Sequence, residues 1–402
     1  MKSIRWDIIP HNSQNVTGKQ TIGVVPDAQP VLSSVPMSQS RCIVTEKVLM
    51  RGSHVIGEAA VRAGCRFYAG YPITPQNELT EYMAESMDKL KDGTFVQAES
   101  ELAAINMIIG ASMAGSRAMT SSSSPGISLK QEGISFLAAQ ELPAVIVNTM
   151  RGGPGLGNIA PSQGDYFQAT RGGGHGDYRT IVLAPASVQE LANLTRKAFE
   201  YADTYRTPVI ILGDGMMGQM MEPVIFDDSI DPRTLPPKPW VLDGAKGRSS
   251  RKILSLLLNP AIQEELNWKL LRKYEIITQE VPKAETYLTE DARLIVIAYG
   301  TAARIAKGAV KRVREMGLKV GLFRPITLWP YPGVPLVDLS RLVKDFFVFE
   351  MNMGQMVEDV KLSLEGRGTV HFYGRPGGIV SPPDEIAKVI TGIYYRQHLE
   401  ED

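Results

Sequence analysis

Four short stretches between Tyr71 and Asp165 carry residue types that could do chemistry together. In Tyr71-Pro72-Ile73-Thr74-Pro75 the two prolines restrict the backbone around Thr74, so its hydroxyl is held in a fixed direction, as a hydrogen-bond donor to a ligand would be. The competing reading of Thr74 is a helix cap ahead of Gln76. Glu99-Ser100-Glu101 opens a run of small and apolar residues. A carboxylate near a helix N-terminus is favourable in itself. The run after Glu101 predicts a buried helix, however, and a half-buried carboxylate meets the condition for acid–base work. Glu99 is read as the cap and Glu101 as the inward group. Ser121 to Gly126 forms a serine-glycine turn. Arg151 leads Gly152-Gly153-Pro154-Gly155-Leu156-Gly157, four glycines in six residues. Glycine lets a backbone approach a ligand closely, and a guanidinium can hold a carboxylate by two parallel hydrogen bonds. The competing reading of Arg151 is a loop-fixing ion pair.

Other candidates are weaker. Arg171 to Asp177 is a second glycine loop, and its His175 could act as a base. A loop histidine with no evident partner is more often structural. The five histidines are too scattered for a metal site. Neither glycine loop has the G-x-G-x-x-G spacing of a dinucleotide site, and there is no G-x-x-x-x-G-K-[ST] phosphate loop. Gly213-Asp214-Gly215 reads as a strand-end turn. Met216, Met217, Met220 and Met221 read as packing residues at a domain or subunit contact.

These pieces need a scaffold, and the pattern supplies one. Short apolar strands alternate with helices from about Thr45 to Leu212, which predicts a parallel sheet covered on both faces. The Tyr71 turn, Glu101, the serine turn and the Arg151 loop each follow a predicted strand. They should therefore line the carboxyl edge of one sheet, where open α/β sheets bind ligands. Residues 1–40, rich in Pro, Ser, Gln and Asn, read as a non-globular extension. A first domain is expected over 41–225, a linker or excursion with one charged helix over 226–290, and a smaller α/β domain over 291–402. Lys plus Arg equals Asp plus Glu at 43 each among 402 residues, so charge gives no argument for nucleic acid or a membrane surface. No apolar run reaches the roughly 20 residues that span a bilayer, and a cytoplasmic location is expected. The two cysteines, Cys42 and Cys65, cannot supply the four thiolates an iron–sulfur cluster usually takes.

Taken together, Gly70 to Pro75, Gln97 to Glu101, Thr120 to Gly126, Arg151 to Pro154 and Gly173 to Asp177 resemble the alpha subunit of the 2-oxoacid:ferredoxin oxidoreductases. Within that family the chain is most similar to the 3-methyl-2-oxobutanoate (branched-chain) type. Arg324 to Pro330 and Tyr373 to Gly378 resemble its transketolase C-terminal-like domain. The likeness runs from about Thr45 to the C-terminus. It implies that 41–225 is a pyrimidine-binding domain for thiamine diphosphate. Glu101 would hydrogen-bond the aminopyrimidine ring nitrogen, Arg151 would hold the 2-oxoacid carboxylate, and Thr74 would hydrogen-bond the substrate. It further implies diphosphate and magnesium on a beta subunit, iron–sulfur clusters on beta and ferredoxin-like delta subunits, electron transfer to ferredoxin, and coenzyme A as acyl acceptor. Some relatives carry a fused gamma domain ahead of this region, so gamma is expected as a separate chain here. The alternatives are the same chemistry on 2-oxoglutarate, a non-catalytic assembly subunit, and a self-sufficient thiamine enzyme.

Overall fold

A computed structural model describes residues 47–398. The N-terminal extension and Cys42 lie outside the described residues. Strand β1 (Val48–Arg51) leads into helix α1 (Gly52–Arg62) and strand β2 (Cys65–Gly70). There follow α2 (Asn77–Asp88), β3 (Thr94–Gln97), α3 (Glu101–Met113), β4 (Arg117–Ser122), α4 (Ser124–Ala139) and β5 (Ala144–Met150). After a long loop come α5 (Tyr166–Arg171), β6 (Ile181–Leu183), α6 (Val188–Tyr205), β7 (Pro208–Asp214), α7 (Gly215–Gln219) and β8 (Met221–Val224). The proline-rich stretch ends in α8 (Pro260–Glu280) and β9 (Ala284–Tyr287). The rest of the chain is β10 (Leu294–Ile297), α9 (Gly300–Glu315), β11 (Val320–Pro325), β12 (Thr327–Trp329), α10 (Gly333–Leu339), β13 (Asp345–Glu350), α11 (Met356–Leu364), β14 (Thr369–Gly374) and α12 (Pro383–His398).

Two main sheets result. The larger has the order β12-β6-β7-β5-β4-β2-β3, parallel except for β12. The smaller has the order β14-β13-β10-β11-β9, parallel except for β9. Every residue of β4 and β5 is buried, as expected of strands with helices on both faces. Ser187 caps α6 by accepting from the Glu190 N–H, and Asn259 caps α8, which has Pro260 in its first position, where no N–H is needed. The stretch ahead of α8 is tied down, with Leu242 N–H donating to Met113 O and Trp240 lying under Arg206 and Lys238. Leu270, Tyr274 and Ile277 of α8 are buried in the core of the first sheet.

Several short elements were not expected from the pattern: α5, α7, α11 and the strands β8, β9 and β12. The sharpest departure concerns Arg324 to Pro330, read from sequence as belonging wholly to the second domain. Arg324 ends β11, but Thr327–Trp329 crosses over and pairs antiparallel with β6 on the edge of the first sheet. Arg324 completes the junction by donating to Glu190 on α6 and to Glu285 on β9. One apolar core accordingly runs through both sheets, joining Ile146 and Ile210 to Ile295 and Phe346.

In the large sheet the chain leaves β2 for β3 on one side and returns to β4 on the other. The carboxyl ends of β2 and β4 therefore form the point where strand order reverses, the place where such sheets bind ligands. The β2–β4 backbone ladder reaches Tyr68↔Met119; one residue further, the Thr120 hydroxyl donates to Ala69 O at 2.6 Å in place of a backbone bond.

Candidate active site

All four stretches meet at this edge, because the strands they follow are parallel. Glu101 is the first residue of α3. Its cap is Ser100, whose hydroxyl accepts from the Ala103 N–H at 3.1 Å, so the assignment of Glu99 as cap is corrected. Glu99 is exposed. The error has a simple origin, since serine and a carboxylate both satisfy a helix N-terminus, and one residue of offset separates them. Glu101 does point inward. It is 6 % exposed and has no hydrogen-bond or ion-pair partner among the described residues.

The stretch from Ser121 to Gly126 is less a turn than a junction, since β4 runs through Ser122 and α4 begins at Ser124. Gly126 is required there. A Cβ at this position would lie 2.1 Å from Ser122 Oγ and 2.5 Å from Glu101 Oε1. One turn pair further, a Cβ on Gly133 would lie 2.6 Å from two carbons of Ile105. The two glycines let α4 lie close against α3 and seat the Glu101 carboxylate on the first turn of α4.

Thr74 is exposed and its hydroxyl donates to no described residue. It does not cap α2, which starts at Asn77 with Gln76 in the cap position and no side-chain cap. The Thr74 carbonyl accepts from Arg151 Nη1 at 2.9 Å, which places these two residues side by side. Arg151 Nη2 donates to Leu156 O at 3.1 Å, while Nε is buried without a partner. Arg151 thus has no ion-pair partner among the described residues and keeps N–H groups free for an anion.

Three residues that the sequence reading passed over organise the site. Gln76 Oε1 accepts from the hydroxyls of Ser121 and Thr80, tying the Tyr71 turn to β4, and Tyr68 OH completes the cluster at 2.5 Å from Ser121 Oγ. Asp165 accepts from Ser124 Oγ at 2.6 Å and from Asn148 Nδ2 at 2.8 Å, while Arg151 N–H donates to Ser124 Oγ at 3.0 Å. Burial pushes the Asp165 carboxyl up, against the pull of those two donors. Lys130, on α4, is fully buried and donates to Thr120 Oγ1 at 2.6 Å and Ser121 O at 3.0 Å. Burial pulls its amine down to about 7, with the Glu101 charge acting the other way.

His175 is not part of this group. It is exposed and meets Phe136 edge-on at 6.1 Å, in a loop held by Gln131 and Tyr178. Asp214 caps α7, in keeping with a strand-end turn, and Met217 is core packing. Cys65 is buried and its thiol is pushed up to about 12, so it is inert at neutral pH. No group of three metal-ligating side chains occurs among the described residues, and none of their helices is long and apolar enough to cross a membrane.

An inward carboxylate without a partner among the described residues, and an arginine with N–H groups left free, both at the carboxyl edge of one parallel sheet, describe a site for a polar ring and an anion. The sequence matches the family described as "Pyruvate flavodoxin/ferredoxin oxidoreductase, thiamine diP-bdg" over residues 58–282, and "Pyruvate:ferredoxin oxidoreductase core domain II" over residues 292–386. It is 48% identical over 346 residues to the ketoisovalerate oxidoreductase subunit VorB of Methanothermobacter marburgensis, covering 86% of this chain and 97% of that one. The chain is a member of the 2-oxoacid:ferredoxin oxidoreductase family, a subunit of the VorB type. It is 37% identical over 368 residues to the 2-oxoglutarate synthase subunit KorA of Methanocaldococcus jannaschii, covering 85% of this chain and 99% of that one. Among solved structures it resembles the 2-oxoglutarate:ferredoxin oxidoreductase from Magnetococcus marinus with 2-oxoglutarate, coenzyme A and succinyl-CoA bound. That likeness has a TM-score of 0.76 and 26% identity, and covers 87% of this chain and 65% of that one.

Membership in a thiamine-diphosphate-binding family can be tested against these side chains. The inward Glu101 carboxylate against Gly126 and the buried Oγ atoms of Ser122 and Ser123, without partners among the described residues, are polar groups of the kind an aminopyrimidine ring would take. No phosphate-binding loop accompanies it.

Proposed function

We propose that this chain supplies the acid–base carboxylate and the substrate anchor of a coenzyme-A-acylating oxidoreductase acting on a branched-chain 2-oxoacid, 3-methyl-2-oxobutanoate. The overall reaction is 2-oxoacid plus coenzyme A plus two oxidised ferredoxins, giving acyl-CoA, carbon dioxide, a proton and two reduced ferredoxins. In this reading thiamine diphosphate is shared with a beta subunit that holds its diphosphate and magnesium. Iron–sulfur clusters sit on beta and ferredoxin-like delta subunits, and gamma is a further chain. Two cysteines in 402 residues support placing the clusters elsewhere. The higher identity to VorB than to KorA supports the branched-chain substrate.

The observation that carries the proposal is the Glu101 carboxylate, buried and without a partner among the described residues, where strand order reverses. Thiamine diphosphate, when bound, supplies the nucleophilic carbon and the electron sink for decarboxylation. Glu101 hydrogen-bonds the aminopyrimidine ring nitrogen and holds or releases one proton at its carboxylate oxygen. Gly126 and the helix start at Ser100 fix where that oxygen lies. Arg151 pairs with the substrate carboxylate through the N–H groups its two carbonyl bonds leave free. Thr74, drawn alongside by its own carbonyl, donates its hydroxyl to the substrate.

Turnover of the assembled complex with coenzyme A and a low-potential acceptor tests this, comparing 3-methyl-2-oxobutanoate, 2-oxoglutarate and pyruvate. The branched acid should be preferred, and Glu101→Gln should lower kcat at least ~100-fold. Preference for 2-oxoglutarate would overturn the substrate assignment. Full activity in Glu101→Gln would overturn the role of the carboxylate and favour a non-catalytic assembly subunit.

A further inference from the structure

We propose that the smaller sheet positions the substrate anchor, with Asn158 as the positioning residue that carries its hold on Arg151. This rests on the role of Arg151 given above. The Arg151 guanidinium takes half of its placement from its own loop, through Nη2 and Leu156 O. That loop closes on itself. The Asn158 N–H donates to Gly152 O at 2.9 Å, the Gly152 N–H donates to Ala160 O at 3.0 Å, and Arg151 pairs antiparallel with Pro161. Gly157 permits the closure, since it sits at a φ of +59° where a Cβ would run into Gly152 O. Asn158 is where this ring meets the other sheet. Its Oδ1 accepts from the Ala160 N–H at 2.9 Å, a turn within the loop, while its Nδ2 donates to Gly377 O at 2.9 Å, just beyond β14. Beside that bond a Cβ on Gly378 would lie 2.6 Å from Ala160 Cβ, so the loop rests directly against the Gly377–Gly378 turn.

The smaller sheet has an edge suited to holding a ligand. Its strand order reverses at β10, which has β11 on one side and β13 on the other. The carboxyl ends of β10 and β13 are therefore where such a sheet binds. Gln163, at the far end of the same loop, fills that place. It is fully buried; its N–H donates to Met351 O at 3.0 Å and its Oε1 accepts from the Met351 N–H at 3.0 Å. Its Nε2 donates to Tyr299 O at 2.9 Å, and its carbonyl accepts from Asn352 Nδ2 at 2.9 Å. Tyr299 follows β10, Met351 and Asn352 follow β13, and Gly377 follows β14, so the loop spans the carboxyl ends of three parallel strands. The smaller sheet thus uses its ligand-binding edge to hold the loop that carries Arg151. Gln163 secures the end remote from the guanidinium, and Asn158 the end two residues from Leu156. Joining the two sheets is met by the buried contacts of Gln163. The Asn158 bond is exposed and adds only modestly to folding, so its effect falls on the placement of Leu156 O and hence of Arg151.

Asn158→Ser separates the two halves of this contact, because a serine hydroxyl can still accept from the N–H two residues on but brings no amide donor to Gly377 O. Steady-state kinetics of the assembled complex should show KM for the 2-oxoacid raised about 2–10-fold, the worth of one hydrogen bond, with kcat unchanged. In Arg151→Met, which abolishes the anchor, adding Asn158→Ser should raise KM no further, since both act through one group. Arg151→Lys, which cannot span Thr74 O and Leu156 O with one planar group, takes its place if Arg151→Met does not assemble. An equal rise in both backgrounds overturns the proposal, as does a fall in kcat at unchanged KM. A wild-type KM in Asn158→Ser, with loss only in Asn158→Ala, also overturns it, because the turn within the loop and not the smaller sheet would then be in control. Unchanged KM in the Arg151 variant alone removes the anchor role of Arg151 and this proposal with it. A raised KM there, with an additive effect of Asn158→Ser, removes the positioning alone, so the two failures are distinct.

Discussion

Gly126→Ala tests how the Glu101 carboxylate is held, and its size can be worked from the contacts. The added Cβ would lie 2.1 Å from Ser122 Oγ, 2.5 Å from Glu101 Oε1 and 3.0 Å from Glu101 Cγ. Unstrained contacts of this kind lie near 3.5 Å or beyond, so the carboxylate must retreat by about 1 Å. It cannot do so by sliding α3, whose first turn is fixed by the Ser100 cap and whose next turn packs on Gly133. Overpacking of this kind destabilises by about 1–3 kcal/mol. A 1 Å displacement of a reacting group lowers the rate by about 100-fold. Gly133→Ala is the matched control. Its Cβ would press at 2.6 Å on two Ile105 carbons of the same helix pair, with no carboxylate involved. Urea unfolding and steady-state turnover, measured on both variants, should give similar losses of stability but a loss of turnover confined to Gly126→Ala. Equal loss of turnover in both would mean that helix separation, and not carboxylate placement, limits the reaction. Unchanged turnover in Gly126→Ala would mean that Glu101 does not need to be where it is.

Two further outcomes are expected. The folded Lys130 titrates near 7, below its ordinary 10.5, so between those values the unfolded chain holds a proton that the folded chain has released. Its contribution to stability is complete above 10.5 and gone below about 7. Stability should therefore rise with pH across that window, by up to about 1.4 kcal/mol per pH unit, and Lys130→Met should flatten the rise in a series of urea midpoints. Asp165→Ala removes the acceptor of the Asn148 amide and the nearer of two acceptors of the Ser124 hydroxyl, the other being Arg151 O at 3.4 Å, which should destabilise by about 1–3 kcal/mol. Because Ser124 also receives the Arg151 N–H, steady-state kinetics should show KM for the 2-oxoacid rising more than kcat falls, and Asp165→Asn, which keeps an acceptor oxygen, should restore most of it.

What the sequence disclosed follows a physical division. Helix α6 reads at Val188 to Tyr205 from its pattern alone and occupies Val188–Tyr205, because an 18-residue amphipathic run with a serine cap has no competing solution. Parallel strands announce themselves as apolar runs, and their shared direction is enough to bring Thr74, Glu101 and Arg151 to one edge. Short elements carry no such signal. Three residues of β12 are too few to reveal that they leave one sheet for the other, and only the long-range partner β6 decides it. The same holds inside the site. On α4 Leu129 is 56% exposed and its neighbour Lys130 is fully buried, the reverse of what hydrophobic periodicity assigns. The burial of Lys130 is set by Gly126 and Gly133, which turn that face of α4 toward α3. A helix face read by its glycines rather than by its leucines would have pointed to the lysine. Glycines at i and i+7 mark close approach to a neighbouring helix, and whatever lies between them is drawn inside with it. A charged residue so placed is brought in by the packing of two helices, and its burial is legible only once the partner helix is known.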